Sequence, residues 1–466
     1  MVVMNEESVA AIVPELDGSQ QLALQRFCQG SNLALFGRAG SGKSEMLRRM
    51  IAVAHGKWGA DAVAVAALAG SASSLIGGQT LHSLFGMDTR PLSREMWLRD
   101  VLRRPHVCAR LNNIRVLFVD EVCSIPSSLL DRFGYVMRRI AAPHMQHVPF
   151  GGCQVVAVGD PLQAAPVKVT DTSVDRMVFD CCMWRTTFEG HHGVVSCLTG
   201  CHRQSGDMEF QKLLDRVRWG RAGDATINRI NDTWETRFTC TVTKLRIRKV
   251  AVQEINQMKL SAINTPEHTF EATDVFLTDD PRAQKQAAAT LRGCVDLVVT
   301  LKQSAVVILT RKVQDVVPGS RGVVREVITR ELVIDDRVCQ VKGVMCDFGS
   351  RVVEVSIARF PAYNSAGVEV AYCDQVPLLL GWAITVHRAQ GLTLDAVEID
   401  FRLDTWSTCG LVYTALSRAR SLSALRVRGL RRDLIRVSRL ALAYYESCLR
   451  ESGVAPEDDG RPSIEA

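Results

Sequence analysis

The feature that most constrains this chain is a glycine-rich turn from Gly37 to Ser44, which reads GRAGSGKS. The apolar residues 33–36 before the turn are typical of a buried strand, and the sequence from Glu45 onwards predicts the first turns of a helix. Glycines allow the backbone to wrap around a phosphate group, and the N–H groups of the turn and the helix start point at the anion. The order of strand, loop and helix therefore predicts a nucleoside triphosphate site.

Two side chains of this turn have the chemistry that phosphate and metal binding require. We expect the Lys43 ammonium to reach the β- and γ-phosphates and the Ser44 hydroxyl to bind Mg²⁺. The other loop residues are expected to contact the nucleotide mainly through their backbone; they are Gly37, Ala39, Gly40, Ser41 and Gly42.

Length and composition indicate a large globular protein. At 466 residues the chain is long for one hydrophobic core, so we expect two or three domains. Apolar residues make up 47% and charged residues 23%, which is ordinary for a globular protein. The 56 Lys and Arg against 50 Asp and Glu leave a net charge of +6, which is compatible with nucleic-acid binding without requiring it.

The sequence predicts an intracellular protein that makes no use of a membrane. Acidic residues such as Glu6 and Glu15 interrupt the early apolar residues, and no uncharged run approaches the length of a membrane span. The 15 cysteines are scattered, often within apolar segments, so a reducing compartment without disulfides is expected. Nucleus, mitochondrion, bacterial cell and virus-infected host cell all remain open. Residues 453–466 are predicted to be disordered.

An acidic pair supplies the second part of a phosphoryl-transfer site. The apolar residues 114–119 predict a strand that ends in Asp120 and Glu121. We expect Asp120 to hold Mg²⁺ and Glu121 to polarise the attacking water. A further strand at 154–158 leads to Gln163, whose amide can sense the γ-phosphate. Strands with chemistry at their carboxyl ends predict a doubly wound parallel α/β sheet.

Two polar stretches leave alternatives open. Gln20 could cap the helix that begins near Asp17, or its amide could read the adenine edge. The polar residues after the strand at 63–69 could bind phosphate or sugar oxygens of a nucleic acid, or form a plain turn. The residues concerned are Thr80, His82 and Ser83.

The second half of the chain repeats the alternation of strands and helices. A strand near 194–198 precedes Cys201-His-Arg203-Gln, and a helix is predicted at 207–219. His191, His192 and the neighbouring Cys residues match no standard zinc spacing, so buried thiols are favoured over a metal site. Short β runs at 323–372 predict an all-β insertion.

Two helices are predicted near the C-terminus. Residues 378–395 predict a helix that breaks at Gly391 and carries His387 and Gln390. Residues 412–420 predict a helix that carries Arg418, and an arginine presented to a γ-phosphate from a second domain is the usual arginine finger.

These motifs together resemble the Pif-one (petite integration frequency) family of superfamily 1B 5′-to-3′ DNA helicases. The resemblance runs from about residue 16 to about residue 430. The motifs that carry it, in the family's order, are GRAGSGKS, FVDEVCSIP, GGCQVVAVGDPLQAAPV, CHRQ, WAITVHRAQGLTLD and YTALSRARSLSALRV. Departures from the family's usual residues at His202, Pro318 and Arg388 remove none of the groups to which chemistry is assigned.

The resemblance implies two RecA-like P-loop domains with ATP between them. It places the first at 1–170, with a wedge subdomain at about 86–112, and the second at 171–466, with an SH3-like β insertion at about 323–372. It implies that Gln20 contacts adenine, that Gln163 senses the γ-phosphate, and that Arg203 and Arg418 face the γ-phosphate. The implied DNA contacts are Gly70, Thr80, His82, Ser83, His387 and Gln390.

The implied activity is that of an ATP-dependent helicase that moves 5′ to 3′ on single-stranded DNA and unwinds duplexes and forks, most simply as a monomer. Such an enzyme would serve DNA repair, recombination, replication or telomere maintenance. Two alternatives stay open from the residues: an RNA or RNA–DNA helicase of the same superfamily, which contacts to the 2′-hydroxyl would distinguish, and a nucleotide-binding scaffold without turnover.

Overall fold

In this computed structural model the described residues are 16–68, 78–86, 93–166, 176–204, 206–238, 242–314, 316, 318–334, 337–349, 351–363, 369–455 and 460–462. The predicted DNA contact Gly70 lies outside these ranges. So do residues 87–92 of the predicted wedge and residues 456–459 and 463–466 of the predicted C-terminal tail.

A six-stranded parallel sheet carries the phosphate loop. Its strands are β1 (Asn32–Gly37), β2 (Val63–Ala67), β3 (Gln79–Thr80), β4 (Val116–Asp120), β5 (Gln154–Gly159) and β6 (Gly193–Leu198). They lie in the order β3-β2-β4-β5-β1-β6, and every neighbouring pair is parallel. In such a sheet the carboxyl ends of β1, β4 and β5 meet at one edge, which brings the phosphate loop, Asp120 and Gln163 to the same side.

Helices cover both faces of this sheet. They are α1 (Gly18–Cys28), α2 (Lys43–Trp58), α3 (Leu81–Leu84), α4 (Arg94–Leu102), α5 (Pro105–Asn113), α6 (Ser127–Ile140) and α7 (Cys182–Phe188). Side chains alternate along β1, so Leu33 and Leu35 lie in the core formed with α1 and α2. Ala34 and Phe36 lie in the opposite core, with α3 to α7. The continuous apolar sequence of β1 follows from this burial on both faces.

The remaining elements belong to the second half of the chain. The strands are β7 (Thr243–Arg246), β8 (His268–Glu271), β9 (Thr273–Phe276), β10 (Val298–Leu301), β11 (Val306–Leu309), β12 (Arg321–Ile334), β13 (Arg337–Asp347), β14 (Val352–Ser356), β15 (Ala358–Tyr363), β16 (Glu369–Gln375), β17 (Leu378–Leu380), β18 (Ala383–Thr385), β19 (Val397–Asp400) and β20 (Leu425–Arg428). The helices are α8 (Met208–Arg218), α9 (Asp224–Asn231), α10 (Lys249–Ser261), α11 (Pro281–Cys294), α12 (Val386–Ala389), α13 (Leu411–Leu416) and α14 (Arg439–Glu451).

A second parallel sheet has four strands in the order β18-β7-β19-β20. Its core is formed with α8, α9, α12 and α13. The predicted α/β class with two parallel sheets is therefore confirmed.

Antiparallel sheets form the β-rich region between β7 and β18. One has five strands in the order β14-β13-β12-β11-β17, one has three in the order β15-β16-β9, and one pairs β10 with β8. The predicted insertion at 323–372 contains the strands β13, β14 and β15 within this region. The antiparallel sheets also include β8 to β11 and β17, so the antiparallel region extends from His268 to Leu380.

The last helix returns to the first sheet. Tyr445 of α14 is buried against Phe36 of β1, with ring centroids 6.3 Å apart, and the Trp184 indole N–H donates to the Tyr444 hydroxyl at 2.6 Å. Strand β6, at 193–198, also belongs to this sheet. The division between the two sheets therefore does not coincide with the predicted boundary at residue 170, because aromatic packing joins the C-terminus to the first core.

One predicted helix is wrong. Residues 378–395 form β17, β18 and only the short helix α12. The run at 378–380 pairs with β11, and Ala383–Thr385 pairs with β7. These pairings with distant strands outweigh the helical propensity of the local sequence. The helix predicted at 207–219 is confirmed as α8, and no helix within the described ranges has the length and apolar character needed to cross a bilayer.

Candidate active site

The phosphate loop requires glycine at two positions. Gly40 and Gly42 have φ values of +84° and +85°, in the left-handed region. A Cβ atom on Gly40 would lie 2.6 Å from the Cβ of Arg203, and one on Gly42 would lie 2.6 Å from Nε2 of Gln20. Strain and crowding both exclude larger residues here, so the loop stays close to Arg203 and Gln20.

Lys43 and Ser44 begin α2 directly after this loop. Lys43 Nζ donates to the carbonyl oxygens of Gly37 at 2.7 Å and Arg38 at 2.9 Å. Burial lowers the pKa of Lys43, while the nearby charges of Asp160 and Glu121 act in the opposite direction. Ser44 is exposed in the first turn of the helix. The Lys43 ammonium group is therefore bound to backbone carbonyls of the phosphate loop.

The acidic pair lies at the end of β4. Asp120 accepts a hydrogen bond from the Glu121 backbone N–H at 2.9 Å, and Glu121 has a left-handed φ of +49°. Burial, and then the charge of Glu121, raise the pKa of Asp120 to about 7. Two carboxylates next to a phosphate loop fit a divalent cation, because a cation would stabilise the charged form of Asp120 that burial and the charge of Glu121 disfavour.

Gln163 is held in a buried network at the end of β5. Its Nε2 donates to Oδ2 of Asp160 at 3.2 Å. Oδ1 of Asp160 accepts from Nη2 of Arg218 at 2.9 Å, and both side chains of that ion pair are fully buried. Arg218 ends α8 and lies over the Tyr445 ring, 4.7 Å from its centroid. The predicted phosphate sensor is thus connected through one carboxylate to elements of both halves of the chain.

Arg203 lies directly over the phosphate loop. The neighbouring His202 N–H donates to the Gly40 carbonyl at 2.7 Å, which fixes the segment against the loop. The Arg203 guanidinium donates to the Ser417 carbonyl at 3.2 Å, and burial lowers its pKa. Within the described ranges this guanidinium has one hydrogen-bond acceptor for its five N–H groups, so it retains capacity for a phosphate group.

Arg418 is buried and bound to protein acceptors. Its guanidinium donates to the carbonyls of Thr414, Ala389 and Leu392 at 2.8, 3.4 and 3.2 Å, and to the Ser417 hydroxyl at 2.8 Å. Burial lowers its pKa to about 9; the charge of Arg203 acts in the same direction and that of Glu121 opposes it. The structure therefore brings Arg418 close to both Arg203 and Glu121.

The structure shows that Gln20 takes part in a helix cap, and its contact with adenine stays a prediction. Its Oε1 accepts from the Asp17 N–H at 3.2 Å, and Asp17 in turn accepts from the Gln20 N–H at 2.9 Å. This capping box starts α1 and fixes the side chain. The amide nitrogen lies 3.4 Å from Nε2 of His202 and close to Gly42. Gln20 thus caps a helix at the margin of the phosphate loop.

The predicted DNA contacts occupy different environments. Thr80 caps α3 by accepting from the Ser83 N–H at 3.2 Å, and Ser83 is buried. The His82 ring packs edge-on against Trp97 and Phe133. His387 is exposed, and desolvation lowers its pKa. Gln390 instead donates to Oε2 of Glu121 at 2.9 Å. The DNA role of these residues stays a prediction.

No group of three His, Cys, Asp or Glu side chains in the described part of the chain is arranged to hold a metal ion. Of the cysteines near His191 and His192, Cys197 is buried and Cys201 is half-buried.

The structure also reveals functional contacts that sequence reasoning missed. The Ala39 N–H donates to the Tyr413 hydroxyl at 3.0 Å, and burial raises the pKa of that hydroxyl. Arg38 pairs with Asp215 of α8 at 2.8 Å. Tyr413 shares a motif with Arg418, and Asp215 and Arg218 are charged residues within the helix predicted at 207–219. Their positions on a buried helix were the signal available in the sequence.

Comparisons with family models and with related proteins agree with each other. The PIF1-like helicase family matches residues 20–226, and the UvrD-like helicase C-terminal domain matches residues 380–425. The ATP-dependent DNA helicase PIF1 of Homo sapiens is 31% identical over 97% of this chain and 67% of its own length. The protein of the same name from Xenopus laevis is 29% identical over 94% of this chain and 65% of its own length. This chain therefore spans about two thirds of these relatives.

Solved structures of Pif1 helicases have a fold similar to that of this chain. The crystal structure of the Pif1 helicase from Candida albicans is 26% identical, with a TM-score of 0.75, over 93% of this chain and 99% of that one. A Bacteroides sp Pif1 in complex with ADP-AlF4, which is 23% identical, has the same fold with a TM-score of 0.73 over 94% of this chain and 98% of that one.

Proposed function

The chain belongs to the PIF1-like helicase family, and we propose that it is an ATP-dependent DNA helicase that moves 5′ to 3′ on single-stranded DNA. The observation that carries this proposal is the set of contacts between the two halves of the chain at the phosphate loop. Tyr413 accepts from the loop N–H of Ala39, and a Cβ on Gly410 would lie 2.0 Å from the Gln163 carbonyl. A nucleotide in such a cleft would affect both halves at once, as conversion of hydrolysis into movement requires.

The chemistry assigned to the cleft follows from its charges. Lys43 would exchange its bonds to the loop carbonyls for bonds to phosphate oxygens, and Glu121 would accept a proton from the attacking water. Arg203 and Arg418 would stabilise the charge that develops on the γ-phosphate. Mg²⁺, held by Ser44 and Asp120, would neutralise phosphate charge.

We further propose that each parallel sheet is the core of a RecA-like domain. The first would comprise β1 to β6 together with α14, and the second β7 and β18 to β20. In this division α4 and α5 correspond to the wedge subdomain, and the antiparallel sheets to the SH3-like insertion. A single chain contains both sides of the cleft, so we propose that the motor works as a monomer, and that it works inside cells.

Single-stranded DNA would contact residues at the carboxyl ends of the strands. Thr80 lies at the end of β3, and the exposed His387 lies in α12, which directly follows β18. Base-tolerant contacts of this kind rely on phosphates and stacking, so binding should weaken steeply with salt.

Two measurements test this function. The first is ATP hydrolysis with and without single-stranded DNA or RNA of matched length; stimulation by DNA is expected, and stimulation by RNA alone would favour the RNA helicase alternative. The second is unwinding of partial duplexes with one single-stranded tail. A 5′ tail should permit unwinding, whereas efficient unwinding from a 3′ tail alone would overturn the direction. Absence of hydrolysis under all conditions would indicate a scaffold.

A further inference from the structure

One short turn of the second half contacts the candidate catalytic base. Gln390 follows α12, and its Nε2 donates to Oε2 of Glu121 at 2.9 Å, across 269 residues of sequence. Both side chains are half-buried. Gln390 was predicted as a DNA contact, yet its amide is directed at the carboxylate that would activate water. We refer to residues 385–392, from the α12 cap to Leu392, as the amide turn.

The same turn also holds the candidate arginine finger. The guanidinium of Arg418 donates to the carbonyls of Ala389 and Leu392, which flank Gln390 in the amide turn. A side-chain donor of the turn therefore restrains the base, and two of its backbone acceptors restrain the arginine. A displacement of the turn would affect both groups at once.

The opposite side of the amide turn faces outwards. His387 is exposed, and Arg388 pairs with Asp296, which precedes β10 in the antiparallel region, at 3.3 Å. Cationic and imidazole side chains at this position suit the phosphates of a nucleic acid. One turn thus presents its outer side chains to solvent and its inner amide to the catalytic carboxylate.

The hydrogen bond from Gln390 has a direct chemical consequence. A hydrogen bond to a charged group contributes about 1.5–3 kcal/mol, so the amide of Gln390 places a substantial restraint on the Glu121 carboxylate. The bond also fixes the direction of the Glu121 side chain, and a general base must be free to approach the water it activates. Loss of the bond would make the carboxylate more mobile.

We propose that Gln390 is a positioning residue that restrains Glu121 until nucleic acid contacts the outer side of the amide turn, so that the turn acts as a brake on hydrolysis. This inference rests on the proposed function, since it assigns the regulation of the same site. Binding at His387 and Arg388 would shift the turn and release Glu121 and Arg418 together. DNA stimulation of hydrolysis would then be removal of a restraint, in addition to any closure of the cleft.

The test is the Gln390→Met variant, which keeps the length of the side chain and removes its donor. We expect its kcat for ATP without DNA to rise roughly tenfold, in line with the loss of a hydrogen bond to a charged group. Its kcat at saturating single-stranded DNA should match that of the unaltered protein, so the stimulation ratio should fall. Its KM for ATP should stay unchanged, because the amide restrains the base and does not contact the nucleotide.

Two different outcomes would overturn the brake. Equal loss of kcat with and without DNA would show that Gln390 assists the base. Unchanged kcat values with only a weaker apparent affinity for DNA would make Gln390 a DNA contact. If the unaltered protein hydrolyses ATP without any response to DNA or RNA, the proposed function itself fails, which is a separate result.

Two controls keep the measurement specific. Gln25→Ala changes an exposed glutamine on α1 and should leave both kcat values unaltered. In a Glu121→Gln background, Gln390→Met should have no effect, which excludes a contaminating hydrolase. An equal thermal unfolding midpoint for Gln390→Met and the unaltered protein would show that the fold is intact.

Discussion

The two sides of the nucleotide cleft are built differently. On the first side, Lys43 bonds to carbonyls five and six residues earlier, and Asp120 accepts from the next residue in the chain. On the second side, Arg418 bonds to carbonyls as far as 29 residues away, and Arg203 bonds to Ser417, 214 residues away. The first side is thus assembled by local sequence and the second by the fold.

This difference indicates which groups are already positioned before a nucleotide binds. A glycine loop with left-handed residues forms its phosphate cradle through local backbone geometry. Lys43 exchanges bonds to its own loop for bonds to phosphate, whereas Arg418 must give up bonds to the carbonyls of distant residues. Hydrogen bonds to charged groups contribute about 1.5–3 kcal/mol each, so the exchange is selective. We therefore expect substitutions on the first side to act on nucleotide chemistry alone, and those on the second side to act on chemistry and packing together.

The largest expected effect is on the first side. Lys43→Ala should weaken nucleotide binding and abolish turnover, because it removes a charge from the phosphates. Glu121→Gln should leave nucleotide binding intact and lower kcat by about 10²- to 10⁴-fold, since only the base is lost. Steady-state hydrolysis and binding of a fluorescent nucleotide separate the two. Lys57→Ala, at an exposed position of the same helix, is the control; wild-type turnover in either site variant would refute the assignment.

On the second side of the cleft, Arg418→Ala tests the candidate arginine finger. Arginine fingers contribute roughly 10³-fold or more to turnover, so kcat should fall by that order with little change in ATP affinity. Because the guanidinium also holds three carbonyls, the thermal midpoint should fall too. Arg420→Ala, which loses only an exposed pair with Asp395, should change neither quantity. An intact kcat with a raised KM would instead make Arg418 a ground-state binding residue.

The buried pair between Arg218 and Asp160 tests how firmly the two sides are joined. Arg218→Met should lower the free energy of unfolding by about 3–5 kcal/mol, because it leaves a buried carboxylate without its partner. Urea denaturation measures this loss. Arg229→Met breaks an exposed pair with Glu209 and should cost less than about 1 kcal/mol. Similar losses for both variants would contradict the role of the buried pair.

Asp400, at the end of β19, is a buried carboxylate of the second sheet. Burial alone would raise its pKa, but hydrogen bonds from Arg402 and Arg428 outweigh burial and lower the pKa to about 2. A lowered carboxylate pKa stabilises the folded state above about pH 4, and this stabilisation disappears as the pH falls towards 2. Asp400→Asn should therefore cost about 2 kcal/mol at pH 7. Its difference from the unaltered protein in urea denaturation should shrink at pH 3; a constant difference would exclude this linkage.

The smallest expected effect is at the contact between the sides. Tyr413→Phe removes the hydroxyl that accepts from the Ala39 N–H, at a cost of about 1 kcal/mol. We expect a change of a few-fold in KM for ATP, because the phosphate loop loses one restraint. Tyr135→Phe, at a half-buried position of α6, provides a comparison. A kcat reduced a hundredfold would show that the hydroxyl takes part in the chemistry.

The sequence by itself determined the parts whose geometry is local. The spacing of glycines with Lys43 and Ser44 specifies a phosphate loop, and apolar strands that end in Asp120 or lead to Gln163 specify a parallel sheet with its chemistry at one edge. The motif order was sufficient to indicate the family. These features need no knowledge of distant contacts, because each lies within one strand–turn–helix unit.

Only the tertiary structure decided where distant side chains are directed. Residues 378–380 and 383–385 form strands because they pair with β11 and β7, which no local periodicity encodes. Gln390 meets Glu121, and α14 packs on Phe36, through packing that joins segments hundreds of residues apart. Such contacts depend on which surfaces the chain buries together, and burial is a property of the whole fold.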